Sequence, residues 1–168
     1  MPTPDFVLRL RSRVGNELMM LPGASALVTD DEHRVLLMRR ADTGEWSFPA
    51  GIVEPGEQPA QTVVREVFEE TGLIVVPEYV AGIVGLVGVT YPNGDVSEYV
   101  STVFRCRAVG GTLEPRDGEA LEVGFHDLSS VIVRRAAQRW SIPLEELLDG
   151  SASFAWNDEW LEALHADA

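Results

Sequence analysis

Three glutamates, Glu66, Glu69 and Glu70, occur together in the acidic stretch REVFEE. Residues three and four positions apart share one face of a helix, where each pair of like charges costs about 0.2–0.5 kcal/mol. Charge runs of this kind usually mark a face exposed to solvent. Alternatively, carboxylates from successive helical turns are suitable ligands for a hard cation such as Mg²⁺ or Mn²⁺. Such a cation also binds phosphate oxygens, so the second interpretation predicts chemistry on a phosphate compound.

The sequence predicts that these glutamates belong to a helix from about Pro59 to Thr71. Proline is favoured in the first helical turn, where its missing N–H is not needed. Gly72 suits the position just after the helix, which often has a left-handed backbone. A separate face of the helix carries an apolar stripe that should pack on the core, formed by Ala60, Val63, Val64 and Val67.

The residues around the glutamates follow a fixed spacing. The pattern consists of Gly51, Glu57, Arg65, Glu66, Val67, Glu69, Glu70, Gly72 and Leu73. It resembles the Nudix box of the Nudix hydrolases at all nine specified positions, here residues 51–73. With average residue frequencies, a chance match in this chain has a probability below roughly one in a million. The order of the strands expected over about residues 20–130 is also similar to that family.

This resemblance implies a fold and an activity. We expect a Nudix-type α/β/α sandwich with a mixed sheet, plus C-terminal helices. Nudix hydrolases cleave the diphosphate linkage of a nucleoside diphosphate joined to another group, by attack of water at phosphorus with Mg²⁺ or Mn²⁺. The expected function is therefore a divalent-metal-dependent pyrophosphohydrolase. A domain that binds nucleotide sugars without turnover is the alternative, but the complete set of box carboxylates argues against it.

The resemblance also assigns roles to the box residues. Glu66 and Glu70 correspond to metal ligands, and Glu69 shares that role or positions the attacking water. The backbone carbonyl of Ala50, just before the box, is expected to join them. The remaining box residues are expected to be structural: Glu57 and Arg65 as a pair, Gly51 and Gly72 as backbone positions that need no Cβ.

The general base in many family members comes from a loop outside the box, before a late strand. In this sequence Glu119, in the stretch DGEALEVGF, matches that place best, and Glu122 is the runner-up. Both could also be ordinary exposed charges of a loop and a strand.

Four further residues are candidates for substrate binding. Arg39 and Arg40 could bind phosphate, but charges at a strand edge or ion pairs with Asp42 or Glu45 are the favoured explanation. Trp46 could stack on a base, whereas Phe48 is expected in the core. The fourth candidate is Tyr91.

The sequence identifies the substrate less well than the chemistry. Tyr91 resembles a marker of dinucleoside polyphosphate hydrolases, yet it also suits the turn YPNGD in which it lies. The proline expected in enzymes acting on ADP-ribose is replaced by Val89, although Pro92 is close. ADP-ribose-like compounds are slightly favoured, and nucleoside triphosphates and non-nucleotide diphosphates stay open.

Composition limits the other function classes. The net charge is −14, from 27 acidic and 13 basic residues, which argues against non-specific nucleic acid binding. An anionic small molecule would need a local cation. The only cysteine, Cys106, fits a reducing compartment. The sequence lacks a signal peptide and an apolar run long enough to span a membrane, so we expect a cytoplasmic protein. A homodimer is left open.

The elements expected to position these residues follow in chain order. Residues 1–168 are expected to form a single domain, with a core over about 20–130 and a helical tail over about 131–168. Strands are predicted at 24–30, 34–40, 44–51, 73–91, 98–109 and 120–128, with a hairpin between the first two and a loop at 110–119. Helices are predicted at 59–71, at 129–148 with an interruption at Pro143, and at 156–166, with residues 150–153 linking the last two. Residues 4–14 are expected to form a short amphipathic helix or an extended arm. Trp140, Trp156 and Trp160 are expected to pack these C-terminal helices.

Overall fold

A computed structural model describes residues 3–91 and 93–154 of the chain. Within these residues eight strands form one mixed sheet: β1 Met19–Thr29, β2 Val35–Arg40, β3 Trp46–Ser47, β4 Ala50–Ile52, β5 Leu73–Thr90, β6 Val96–Gly111, β7 Ala120–His126 and β8 Ser153–Phe154. The helices are α1 Asp5–Val14, α2 Pro59–Thr71, α3 Val131–Ala137 and α4 Leu144–Leu148, with a 3₁₀ turn at Gln138–Trp140. The predicted helix at 156–166, with Trp156 and Trp160, lies outside the described residues.

The main path of the sheet has the order β3-β2-β1-β6-β5-β8, while β4 pairs with β1 and β7 pairs with β2. The central β1–β6 pair is parallel, as is β5–β8, and the other pairs are antiparallel. Among the described residues, no helix is long and apolar enough to cross a membrane.

Each face of the sheet carries its own hydrophobic core. Successive residues of a strand point to opposite faces, and β2 shows this: Leu36 belongs to the core under α2, whereas Val35 and Leu37 belong to the core under α3 and α4. We call these the α2 face and the α3 face. Helices therefore cover both faces of a mixed sheet, which confirms the predicted α/β/α sandwich.

The predicted bounds of α2 are confirmed. Pro59 is its first residue, and Gly72 follows it with a left-handed φ of 74°. The Gly72 N–H donates to the carbonyl oxygen of Phe68 (2.9 Å), which closes the last turn. Val63 and Val67 are fully buried, as the apolar stripe predicts.

Other elements differ in detail from the sequence prediction. The stretch 73–91, predicted as one or two strands, forms the single strand β5, which ends at Thr90 and whose register with β6 shifts at several points. Gly110 and Gly111, expected in a loop, continue β6 because β5 extends far enough to pair with both. Ser153, expected in a linker, belongs to β8, which pairs with Gly82 and Ile83 of β5.

Two aromatic predictions are confirmed. Phe48 is buried in the core of the α3 face. Its ring stacks on that of Trp140, with ring centroids 4.1 Å apart. Trp140 thus packs the C-terminal helices onto the sheet.

Candidate active site

Strand β4 brings the start of the box against α2. It pairs with β1, so that Ala50 lies opposite Ser25 and Gly51 opposite Ala24. A Cβ on Gly51 would lie only 1.8 Å from Oε1 of Glu66. The glycine is therefore required because the Glu66 carboxylate occupies the space above the strand.

Two of the three clustered glutamates are buried. Glu66 is 4% exposed and Glu70 is 3% exposed, which excludes the solvated face as an explanation for them. Glu69 is partly exposed at the same end of the helix. The Ala50 N–H donates a hydrogen bond to Oε2 of Glu70 (3.2 Å), which holds this carboxylate next to β4.

Arg65 connects the carboxylates of the box. Its Nε and Nη2 donate to the two oxygens of Glu57 (2.7 and 2.9 Å), a bidentate pair. Its Nη1 donates to Glu66 (2.7 Å) and Glu69 (3.3 Å), and its Nη2 also reaches the carbonyl oxygen of Ile52 (3.3 Å). The hydrogen bond from Arg65 lowers the pKa of Glu57 to about 2. Glu57 and Arg65 thus form an ion pair, and their structural role stays a prediction.

The buried carboxylates have raised pKa values. Burial raises the pKa of Glu66, and Arg65 only partly opposes this. Burial raises the pKa of Glu70 well above its ordinary value, with further contributions from the charges of Glu66 and Asp117. The Ala50 N–H and Arg40 act in the opposite direction. The site therefore holds more negative charge than its own cations balance.

The carboxylates of Glu66, Glu69 and Glu70 suit a hard divalent cation, because they offer oxygen ligands and two of them are buried. Buried carboxylates require a positive partner, and oxygen atoms are the ligands that Mg²⁺ and Mn²⁺ prefer. In the part of the chain that the structure describes, no three acidic, histidine or cysteine side chains already converge on one point where a metal ion could sit. The reason is visible at Arg65, because Glu66 and Glu69 point their oxygens at its guanidinium.

Arg40 and Tyr91 lie near this carboxylate site. Arg40 makes a bidentate pair with Asp42 (2.9 and 2.6 Å) and lies close enough to Glu70 to lower the pKa of that carboxyl. The pKa of Tyr91 is raised by burial and then by its hydrogen bond to the Tyr99 hydroxyl. Arg40, expected to pair with Asp42 or Glu45 if not with substrate, makes the first of these pairs.

Arg39, Trp46 and Glu122 lie on the other face of the sheet. In the strand register Arg39 stands opposite both Trp46 and Glu122, and its Nε donates to Glu122 (2.7 Å). Trp46 packs edge-on against His126, with ring centroids 4.5 Å apart. It also borders a cavity of about 520 Å³ beside α3. This placement argues against Glu122 as the general base, because the Glu122 carboxylate is engaged on the α3 face.

The loop between β6 and β7 carries Asp117, an acidic residue that the sequence did not indicate as part of the site. The Glu119 N–H donates to Oδ1 of Asp117 (2.9 Å), and the Glu119 carbonyl oxygen accepts from the Ala41 N–H (2.7 Å). Asp117 acts electrostatically on Glu70, so this loop borders the carboxylate site. The one signal in the sequence was an acidic residue two positions before the predicted base. Glu119 stays the candidate base.

Comparison with known proteins agrees with the box and with the fold. The family model of the NUDIX domain matches residues 19–148. A MutT-like protein of Streptomyces ambofaciens is 35% identical over 127 residues, which cover 76% of each chain. An ADP-ribose pyrophosphatase of Methanocaldococcus jannaschii is 33% identical over 108 residues, 62% of this chain and 60% of that protein. The crystal structure of an ADP-ribose pyrophosphatase from Streptococcus suis 89-1591 has a similar fold, with a TM-score of 0.59, 23% identity, and coverage of 82% of this chain and 98% of that one. With its box, its sandwich and these relatives, the chain belongs to the Nudix hydrolase family.

Proposed function

We propose that the protein hydrolyses the diphosphate linkage of a nucleoside diphosphate derivative, with ADP-ribose-like compounds as the favoured substrates. The observation that carries this proposal is the burial of Glu66 and Glu70 beside Gly51, where the guanidinium of Arg65 is shared among Glu57, Glu66 and Glu69. Burial of carboxylates is unfavourable for the fold, and a cluster of carboxylates with strongly shifted pKa values is typical of functional sites.

The proposal assigns Mg²⁺ or Mn²⁺ to Glu66, Glu69 and Glu70, with the carbonyl oxygen of Ala50. When bound, such an ion neutralises charge on the phosphate oxygens and makes a coordinated water more acidic. Glu66 and Glu69 must then turn their oxygens from Arg65 toward the ion. The bidentate bond to Glu57 keeps Arg65 in place while this happens.

The other residues bind the substrate and move the proton. Glu119 accepts the proton of the attacking water as general base. Arg40 binds a phosphate oxygen, exchanging its exposed pair with Asp42 for the substrate. Tyr91 contacts the part of the substrate that lies beyond the diphosphate.

The substrate class rests on one relative and on the surroundings of Arg40. The Methanocaldococcus relative is named an ADP-ribose pyrophosphatase. Arg40 lies near both Glu70 and Tyr91, since the charges of both act on its pKa. A cation beside the carboxylate site, followed by an aromatic side chain, suits a diphosphate joined to a nucleoside.

A panel of substrates with Mg²⁺ or Mn²⁺ tests the proposal. It contains ADP-ribose, NADH, diadenosine polyphosphates, nucleotide sugars and nucleoside triphosphates, and release of the product nucleotide is followed by chromatography. We expect the highest kcat/KM for ADP-ribose or a close analogue. Tight binding of one compound, with no turnover of any compound, would refute the proposed hydrolase activity and favour a binding domain.

Three broader properties complete the proposal. Residues 1–168 act as one domain, in the cytoplasm, where the free and buried Cys106 is compatible with reducing conditions. Exposed Leu10 and Val14, four residues apart on one face of α1, give this helix an apolar surface that a second copy could cover. Light scattering after gel filtration tests the homodimer, and a monomeric mass at micromolar concentration would exclude it.

A further inference from the structure

One arginine of α1 attaches this helix to the end of the β5–β6 hairpin. We call Tyr91 and residues 93–97 the hairpin end. Nη2 of Arg11 donates to the carbonyl oxygen of Val96 (2.6 Å) and to Oγ of Ser97 (2.9 Å). These hydrogen bonds join a helix near the start of the chain to the two strands at the centre of the fold.

The side chain of Arg11 is nearly buried, although most residues of α1 are exposed. It is 9% exposed, and its Nε lies 3.5 Å from Oδ2 of Asp95. Its Nη1 donates to the carbonyl oxygens of Gly15 (3.1 Å) and Glu17 (2.6 Å), which follow α1. Arg9, two residues earlier on the same helix, is exposed. Because charged hydrogen bonds are stronger than neutral ones, Arg11 fixes α1 and the hairpin end relative to each other.

The backbone of Tyr91 is bonded within the hairpin end. The Tyr91 N–H donates to the carbonyl oxygen of Asp95, and the Tyr91 carbonyl oxygen accepts from the Gly94 N–H (both 2.9 Å). A Cβ on Gly94 would lie 2.8 Å from Nδ2 of Asn16, so the residues after α1 also approach the turn closely. The two residues that bond to the Tyr91 backbone are thus the ones that α1 and the following residues contact.

The Tyr91 side chain extends from this turn toward the strand in which the box begins. Its hydroxyl is hydrogen-bonded to that of Tyr99 on β6. In the strand register Tyr99 stands opposite Leu21 of β1, and Gly23, two residues further along β1, stands opposite Ile52 of β4. Two residues of a strand span about 7 Å, and only β1 lies between β6 and β4. A shift of the hairpin end would therefore move the tyrosine pair relative to the box.

We infer that Arg11 is a positioning residue, which binds the hairpin end to α1 and so holds the hydroxyl pair of Tyr91 and Tyr99 in place for the part of the substrate beyond the diphosphate. The inference rests on the proposed function, because it concerns the same substrate. It assigns a role in substrate binding to a helix that lies before the match to the family model, which begins at residue 19.

Steady-state kinetics of Arg11→Ala with the best substrate of the panel, at saturating Mn²⁺, are the first test. We expect KM to rise about three- to tenfold, the value of one hydrogen bond lost from a binding site, while kcat stays within about twofold. Inhibition by the product nucleotide should weaken by a similar factor, and Mn²⁺ binding measured by calorimetry should be unchanged. An arginine that only stabilised the fold would change none of these values in the folded protein.

Amide hydrogen exchange tests the attachment of the hairpin end directly. In Arg11→Ala, peptides that cover residues 88–99 should exchange about tenfold faster, because local opening of the hairpin end no longer breaks the bonds to α1. Peptides of α2 should exchange as they do in the unchanged protein.

The matched control is Arg9→Ala, which removes an exposed arginine of the same helix and should leave both KM and exchange unchanged. Asp95→Asn keeps the shape of the side chain but removes the charge beside Arg11, so it should raise KM less than Arg11→Ala does. It also supplies the test if Arg11→Ala does not fold, which thermal unfolding verifies. In a Tyr91→Ala background, Arg11→Ala should raise KM little further, since both substitutions remove the same contact with substrate.

Three results would overturn the inference. They are unchanged KM in a folded Arg11→Ala, unchanged exchange of the hairpin end in that variant, and effects of Arg11→Ala and Tyr91→Ala on KM that multiply as for independent sites. The proposed function fails differently, because the unchanged protein would then turn over no compound of the panel. In that case the Kd of the compound that binds most tightly replaces KM, and the same comparison decides the role of Arg11.

Discussion

Two neighbouring arginines of β2 lie in different chemical surroundings. Arg40 is on the α2 side, beside the buried Glu70, and Arg39 is on the α3 face, paired with Glu122. On the α3 face the ion pairs of Arg39 with Glu122 and of Arg135 with Glu45 are exposed and one-to-one. On the α2 face one guanidinium, that of Arg65, is shared among three carboxylates.

The difference separates the site from the scaffold. Exposed one-to-one ion pairs contribute little to stability and require nothing further. Buried carboxylates in excess of their cations are unfavourable unless a positive ligand arrives. The α2 face therefore fits the proposed binding of a cation and a phosphate, whereas on the α3 face Arg39 and Arg135 are each paired with one carboxylate. Substitutions of matched residues on the two faces should consequently have very different effects.

The largest difference is expected between Glu70→Gln and Glu122→Gln. The first removes a buried charge that the divalent cation needs, so kcat should fall by about 100-fold or more. The second removes one partner of an exposed pair, and kcat should change less than about twofold. Steady-state assays with Mn²⁺, together with Mn²⁺ titration calorimetry, measure both. Full activity of Glu70→Gln would refute the metal assignment, and inactivity of a folded Glu122→Gln would reverse the ranking of Glu119 and Glu122.

The next largest difference is expected between alanine substitutions at two glycines, Gly51 of β4 and Gly85 of β5. In Gly51→Ala the new Cβ would overlap the Glu66 carboxylate, so the side chain or β4 must move. We expect destabilisation by about 1–3 kcal/mol and a loss of activity. Gly85→Ala is the matched control, since no atom lies within 4 Å of the Cβ it would add. Urea unfolding measures the difference, and equal stability of the two variants would show that the contact with Glu66 is not tight.

The two arginines themselves give a smaller effect. Arg40→Ala removes the charged hydrogen-bond donor that we propose for phosphate, so the substrate KM should rise about tenfold. Arg39→Ala should leave KM within about twofold, because its guanidinium bonds to Glu122 on the α3 face. Initial rates over a range of substrate concentration distinguish them. An equal rise in both would mean that substrate reaches across the edge of the sheet.

The part of this site that the sequence predicted is local. Pro59, Gly72 and the apolar stripe define α2, since caps and helical periodicity are properties of neighbouring residues. The box spacing then identifies Glu66, Glu69 and Glu70, and the helix carries them to one end.

The part that the sequence could not predict depends on contacts between distant segments. The β2 stretch Val35–Met38 is apolar throughout and buried on both sides, so no alternation shows which face Arg39 or Arg40 occupies. That assignment needs the pairing of β2 with β3 and β7. Asp117 was missed for the same reason, because only the folded loop brings its charge close enough to contribute to the raised pKa of Glu70.

The smallest predicted effect is a dependence of stability on pH that has opposite signs for two carboxylates of the α2 face. The pKa of Glu57 in the folded protein is about 2, below the ordinary 4.5. Its ionised form therefore stabilises the fold above about pH 4.5, and this contribution is lost as the pH falls toward about 2. Glu57→Gln should cost about 1 kcal/mol near neutral pH, a modest value because the pair with Arg65 is partly exposed.

Glu70 should show the reverse in the protein without a divalent cation. Burial raises its pKa in the folded state, so its ionised form destabilises the fold at high pH and the penalty disappears as the pH falls below the ordinary 4.5. Glu70→Gln should therefore be more stable than the unchanged protein near neutral pH and equally stable in acid. Urea unfolding with a chelator, across this pH range, measures both variants. A loss of stability in Glu70→Gln at neutral pH would show that cations within the chain already balance this carboxylate, and the contrast between the two faces would no longer hold.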